Sequence, residues 1–175
     1  KMKKNSKLIF YSDLKIGQNV LIEGNVILGK KNEIHKDCFL KDVKTNNNNE
    51  IKMSSLIENT TIGNNNIIGP FAFLRGKTKI KNNCIIAAYV EITRSLINNK
   101  TLISHRAFIG DANIGDCSII GAGVVFCNYN FSSMKQEKSF IGKNCKIGSN
   151  ATIIAPITVK NDSIIPALTK FKKSN

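Results

Sequence analysis

Apolar residues return at every sixth position along most of this chain. Near the C-terminal end Ile141, Ile147, Ile153, Val159, Ile165 and Phe171 keep that step; upstream, Ile16, Ile22, Leu28, Ile34 and Leu40 keep it, as do Ile62, Ile68, Leu74, Ile80, Ile86 and Ile92. Neither the period of a helix nor that of a lone strand gives such a repeat. It is the mark of a parallel β-helix, in which each hexapeptide supplies a short strand and a turn and three of them close one triangular coil. Two residues before the anchors stand small or modest side chains, Val20, Val26, Cys38, Ala72, Thr78, Cys84, Val90, Cys145 and Ala151, which predicts a second inward position. Asn and Gly crowd the remaining places, as in IGNNN, IGKN and IGSN, and these are the residues that accept a left-handed backbone at a corner. The pattern predicts an all-β, left-handed parallel β-helix, an exception to the right-handed rule for crossovers.

Where the step changes, the architecture can be refined. Leu40, Thr45, Ile51, Ile57 and Ile62 are spaced five, six, six and five apart, and Ile92, Ile97, Ile103, Ile109 and Ile114 repeat that order. The asparagine run at 46–49 therefore belongs inside a coil and is no linker. Between Phe126 and Ile141 lie fifteen residues where six would do, so one extruded loop is expected over residues 127–140. Residues 1–13 lack the period and read as a lead-in or the stub of a missing domain; 14–171 form the β-helix and 172–175 a tail.

Composition narrows the setting. With 42% apolar and 22% charged residues the chain is globular in type, and no apolar run is long enough to predict membrane insertion. Five cysteines form no C-x-x-C pair, and reduced thiols in a soluble, cytoplasmic protein are the expectation. Cys38, Cys84 and Cys145 fall on inward positions and read as packing. The formal charge of +14 raises nucleic acid as a partner, but the lysines are scattered and no recognition motif accompanies them, so none is expected. Lys, Asn and Ile are inflated together, as an AT-rich coding sequence would produce.

Taken as a ruler, the anchors bring distant residues together, since neighbouring coils lie about 4.8 Å apart. Arg75 follows Leu74 and Thr93 follows Ile92, which makes them stacked neighbours; His105 lies two past Ile103 and Ala122 two past Ile120, one coil on. Arg75, Glu91, His105, Ala122 and Asn128 are thus expected on one side of the prism. The segments GPFAFLR, YVEI, SHRAFIGDANIGD, IGAG, CNYN and IGSNATIIAPITV resemble the C-terminal acetyltransferase domain of the bacterial bifunctional N-acetylglucosamine-1-phosphate uridyltransferase / glucosamine-1-phosphate acetyltransferase family. The resemblance runs from about residue 14 to about 168, with no counterpart here of the family's nucleotidyltransferase half.

That resemblance implies a homotrimer with sites between neighbouring subunits, and acetyl-CoA-dependent N-acetylation of glucosamine-1-phosphate on the way to UDP-N-acetylglucosamine and the cell envelope. Acetyl-CoA enters as co-substrate, and no metal is required. His105 is implied as the base that strips the amine of its proton, and Glu91 as the group that orients it. The Ala122 turn is implied as an oxyanion donor and Arg75 as the grip on the sugar phosphate. Ala122, Asn128, Tyr129, Ser149 and Ala167 match positions that line the coenzyme site, and Lys135 and Lys138 lie near it. Three positions depart from the family: Thr93 stands for a phosphate-binding lysine, Phe108 for a sugar-contacting tyrosine and Ile119 for a substrate asparagine. Arg94, next to Thr93, is expected to point the other way. These departures leave two alternatives open: a different amine acceptor, or a degenerate, non-catalytic trimeric scaffold. A zinc site of the carbonic anhydrase kind is excluded, because it needs three histidines and His35 and His105 lie about four coils apart.

Overall fold

Strands in this chain are only two to four residues long wherever a hexapeptide must also supply a turn, and they lengthen to seven at two of the places where the step shortens to five, Leu40 to Thr45 and Ile57 to Ile62. The computed structural model describes residues 1–173. One face of the prism is a nine-stranded parallel sheet that climbs from Lys15–Ile16 through Glu33–Ile34, Ile85–Ile86, Leu102–Ile103 and Ile119–Ile120 to Ile164–Ile165. The other two faces merge into a sixteen-stranded network. They join because Phe39–Thr45 and Leu56–Ile62, the two seven-residue strands, run continuously round one corner. The product is a left-handed parallel β-helix.

The anchors fill the interior in single file. Leu28, Leu40, Ile51, Ile57, Ile68, Leu74, Ile86, Ile92, Ile103 and Ile120 are fully buried, and so are the smaller inward residues Val26, Cys84, Cys145 and Ala151. Each aliphatic anchor contributes about 1.5–3 kcal/mol relative to an exposed one. Burial pushes the Cys38 and Cys84 thiols up, which fits packing rather than chemistry. Ile16 departs from the expectation. It is exposed, because it belongs to the first strand of the nine-stranded face and, among the described residues, no coil lies beneath it. At the other end Phe171 is only partly buried against the core.

The corners use left-handed residues, among them Asn19, Asp37, Asn65, Asn83, Asp111 and Asn144. The asparagine run is a corner within a coil. Asn49 there is buried: its amide nitrogen donates to Asn32 Oδ1, Asn46 O and Gly63 O, and its oxygen accepts from the backbone and side chain of Asn66. Lys7–Phe10 of the lead-in stacks in parallel on Asn25–Leu28. The extruded segment forms a small antiparallel hairpin, Tyr129–Asn130 against Lys135–Gln136. In the tail, Ser174 and Asn175 lie outside the described residues. Among the described residues no helix is long and apolar enough to cross a membrane.

Candidate active site

The turn after the nine-stranded face carries His105. Its carbonyl accepts the Gly123 N–H at 2.8 Å, Ala122 in turn accepts Asn150 N–H at 2.8 Å, and Ser149 accepts Leu168 N–H at 2.9 Å. His105, Ala122, Ser149 and Ala167 therefore form one row along a single edge, about one strand spacing per step. Glycine makes the close stacking feasible. A Cβ on Gly121 would sit 2.6 Å from the Ser149 nitrogen and one on Gly148 2.3 Å from that of Ala167. The row is thus an imidazole with small side chains and bare backbone above it, a track on which an extended chain could lie. His105 is exposed, and its ring makes no hydrogen bond or ion pair among the described residues. The Ala122 N–H also donates to no group there, which leaves it available to an oxyanion.

The face that leads away from this edge is built from Phe73–Arg75, Glu91–Thr93, Phe108–Gly110 and Val125–Cys127, stacked in register. Outward from it point Phe73, Glu91, Phe108 and Val125 nearest His105. Arg75, beside Thr93 as expected, extends along the wall to Glu91: its Nε and Nη2 donate to Glu91 Oε1 at 3.1 and 2.7 Å. The Glu91 carboxylate thus faces the guanidinium, and no ion pair joins it to His105 among the described residues. Thr93 is buried, its hydroxyl accepting a hydrogen bond from Arg94 Nη1 at 3.1 Å. Ile119 lies on the nine-stranded face before the edge and is exposed.

Asn128 and Tyr129 stand at the far edge of the wall, one prism face from Ala122, roughly 15 Å by strand rise. All the residues expected on one side share one face and its two edges, but a single chain does not bring the His105 edge and the hairpin edge together. Asn128 donates through Nδ2 to Asp111 Oδ2, and the Tyr129 hydroxyl lies 3.7 Å from the Met134 sulfur. Asp111 is 6% exposed and is also gripped by Arg94, through Nε to Oδ1 at 2.7 Å and Nη2 to Oδ2 at 2.8 Å. Burial alone would raise its carboxyl, but the Arg94 and Asn128 hydrogen bonds outweigh that and hold it below the usual range.

Residues 59–94 match the family model described as bacterial transferase hexapeptide (six repeats), and residues 140–167 match the hexapeptide repeat of succinyl-transferase. The chain is 42% identical over 149 residues to the bifunctional protein GlmU of Baumannia cicadellinicola, which covers 85% of this chain and 31% of that protein. It is 36% identical over 162 residues to GlmU of Wigglesworthia glossinidia brevipalpis, covering 93% of this chain and 35% of the relative. The chain thus carries the hexapeptide repeats of bacterial transferases and is similar to GlmU over most of its own length. It spans about a third of the length of the curated relatives it matches. Among solved structures, the Arabidopsis UDP-N-acetylglucosamine acyltransferase superposes with a TM-score of 0.73 at 17% identity, over 95% of this chain and 66% of that one. LpxA from Acinetobacter baumannii gives 0.65 at 18%, over 87% and 66%. These two likenesses concern the fold alone.

Reasoning from sequence missed two members of the hairpin edge and one exposed pair. Asp111 reads as an ordinary turn residue in FIGDANIGD, and Arg94 as a cation turned away. Phe71 and Tyr89, both with left-handed backbone, stack with ring centroids 4.9 Å apart and planes 6° apart, and both are exposed. Their signal is a pair of aromatic side chains one coil apart in a corner row that elsewhere holds Asn19, Asp37, Ser54, Arg106, Gly123, Asn150 and Leu168.

Proposed function

We propose that the chain is an acetyl-CoA-dependent N-acetyltransferase whose acceptor is an amino-sugar phosphate, glucosamine-1-phosphate first among them, supplying UDP-N-acetylglucosamine synthesis in the cytoplasm. The observation that carries the reading is the row His105, Ala122, Ser149, Ala167. In it the thioester lies along the small residues with its carbonyl near His105. The imidazole takes a proton from the acceptor amine as the nitrogen attacks the acetyl carbon. The Ala122 N–H receives the oxyanion of the tetrahedral intermediate, and the coenzyme departs as a thiolate, which needs no strong acid. Arg75 meets the phosphate, and Glu91 stabilises the cationic imidazole.

His105 stands on a convex edge, and Asn128 with Tyr129 lies a full face away. Supporting a homotrimer is the need for a second wall: a neighbouring subunit's hairpin edge against this subunit's His105 edge would close the cleft. The exposed apolar residues beside that edge, Phe71, Tyr89, Ile85 and Ile119, suit such a contact.

A second reading, a different amine acceptor, is favoured by the wall itself. Arg75 is already neutralised by Glu91, Thr93 is buried under Arg94, and Phe73, Phe108 and Val125 make the remainder apolar. Both readings share the coenzyme row, so the test falls there. Ala167→Trp should weaken acetyl-CoA binding about tenfold or more by filling the track, whereas His105→Ala should bind it nearly as well as the parent chain. Equal affinity in all three proteins would remove the row from the coenzyme site.

A further inference from the structure

The extruded hairpin leaves the prism and returns to it at one residue. Asp111 accepts the Asn128 side chain at the start of the hairpin, and its carbonyl accepts the Ser139 N–H at the end of it, at 3.1 Å. Its own N–H donates to the Thr93 carbonyl at 3.1 Å, one coil below. The hairpin closes on itself just above, where Glu137 N–H donates to Asn128 O at 2.8 Å. Arg94 fixes the carboxylate by a two-point contact, a geometry that sets the plane of the acceptor as well as its place. Gly110, preceding Asp111, completes the arrangement: a Cβ there would lie 2.5 Å from Asn128 Nδ2 and 2.8 Å from its Cγ. Asn128 reaches the carboxylate only across that gap.

We propose that Asp111, oriented by Arg94, is the positioning residue of the coenzyme-binding arm, fixing where Asn128 and Tyr129 meet acetyl-CoA. The inference rests on the coenzyme reading of the arm given above. An ionised carboxylate is required at this place, because it must accept three N–H donors at once. The isosteric amide of Asn offers one acceptor oxygen and sets an NH2 group against the donors of Arg94 or Asn128. The Asp111→Asn arm should therefore swing from its seat while the core beneath, formed by Ile109, Ile114 and Phe126, is untouched.

Two variants of the full chain test this. Asp111→Asn and Gly110→Ala should each raise the KM for acetyl-CoA about tenfold, leave kcat within about threefold, and leave the KM for the acceptor amine unchanged. Trypsin should cut the arm at Lys135 and Lys138 faster in both. Gly110→Ala guards against a folding artefact: Gly110 has an ordinary backbone, its new methyl meets a movable side chain, and the Arg94–Asp111 pair stays intact. Arg94→Lys, which keeps the charge but not the fork, should fall between parent and Asp111→Asn. An unchanged KM for acetyl-CoA in both variants would overturn the proposal, as would equal losses in kcat and in both KM values. A parent chain that binds no acetyl-CoA would overturn the coenzyme reading and the proposal with it; binding by the parent and equally by both variants would overturn the proposal alone.

Discussion

Replacing Asn49 by alanine should cost far more than its place in a low-complexity run suggests. The side chain is 1% exposed and makes five hydrogen bonds, three donated and two accepted. Some partners keep another: Asn46 O still accepts from Asn32, and the Asn66 amide still reaches Lys81 O. The buried Asn66 N–H, however, loses its acceptor. One orphaned buried donor costs about 1–3 kcal/mol, and each remaining bond contributes about 1 kcal/mol net. The sum is roughly 3–5 kcal/mol, a large part of the 5–15 kcal/mol typical of a domain. Asn65→Gly is the matched control. Asn65 belongs to an exposed ladder with Asn48 and Asn83 and has a left-handed backbone; Gly suits that conformation, so the loss should be about 1 kcal/mol or less. Urea unfolding followed by circular dichroism gives both numbers from the midpoints at constant slope. A loss under about 1 kcal/mol for Asn49→Ala would show that water replaces the amide and that the buried ladder does not hold the corner.

His105→Ala should lower turnover by about 10²–10⁴-fold, the usual contribution of a general base, in a steady-state assay of thiol release; an unaltered rate would return His105 to an ordinary turn residue. Asp111 and Asp116 both have carboxyls held below the ordinary range. For Asp111 burial is outweighed by Arg94 and Asn128, and for Asp116 the Asn99 side chain leads. A depressed folded-state pKa gives stability that is present above about pH 4, the unfolded value, and lost as pH falls through the folded one. The parent chain should therefore lose stability in urea as pH drops below about 4, and Asp111→Asn should lose less; parallel curves would refute the pairing. Light scattering at micromolar concentration should find three chains per particle, and a monomer alone would argue against a site built between subunits.

The coil was legible because each hexapeptide meets only its neighbours, so a local spacing fixes a global shape. The same arithmetic placed Arg75 beside Thr93 and Ala122 above His105. It failed where an environment is not repeated: Ile16 keeps the period but, among the described residues, has no coil beneath it. It was also blind to which partner a long side chain selects. Arg75 could reach several groups and takes Glu91, and Arg94, turned by its left-handed corner, takes Asp111. Asp111 went unnoticed for the same reason. Its role depends on two segments, Asn128 and Ser139, that the hairpin brings back to one point, and no spacing encodes that return.

On the proposed function an amine is acetylated at the His105 edge. The direct measurement is to incubate the purified chain with acetyl-CoA and glucosamine-1-phosphate, and to follow coenzyme thiol release and the acetylated sugar phosphate by mass spectrometry together. The expected result is one N-acetylated product per thiol released by the parent chain, with both falling at least 100-fold in His105→Ala. Thiol release without acetylated amine, or the same product yield from both proteins, would contradict it.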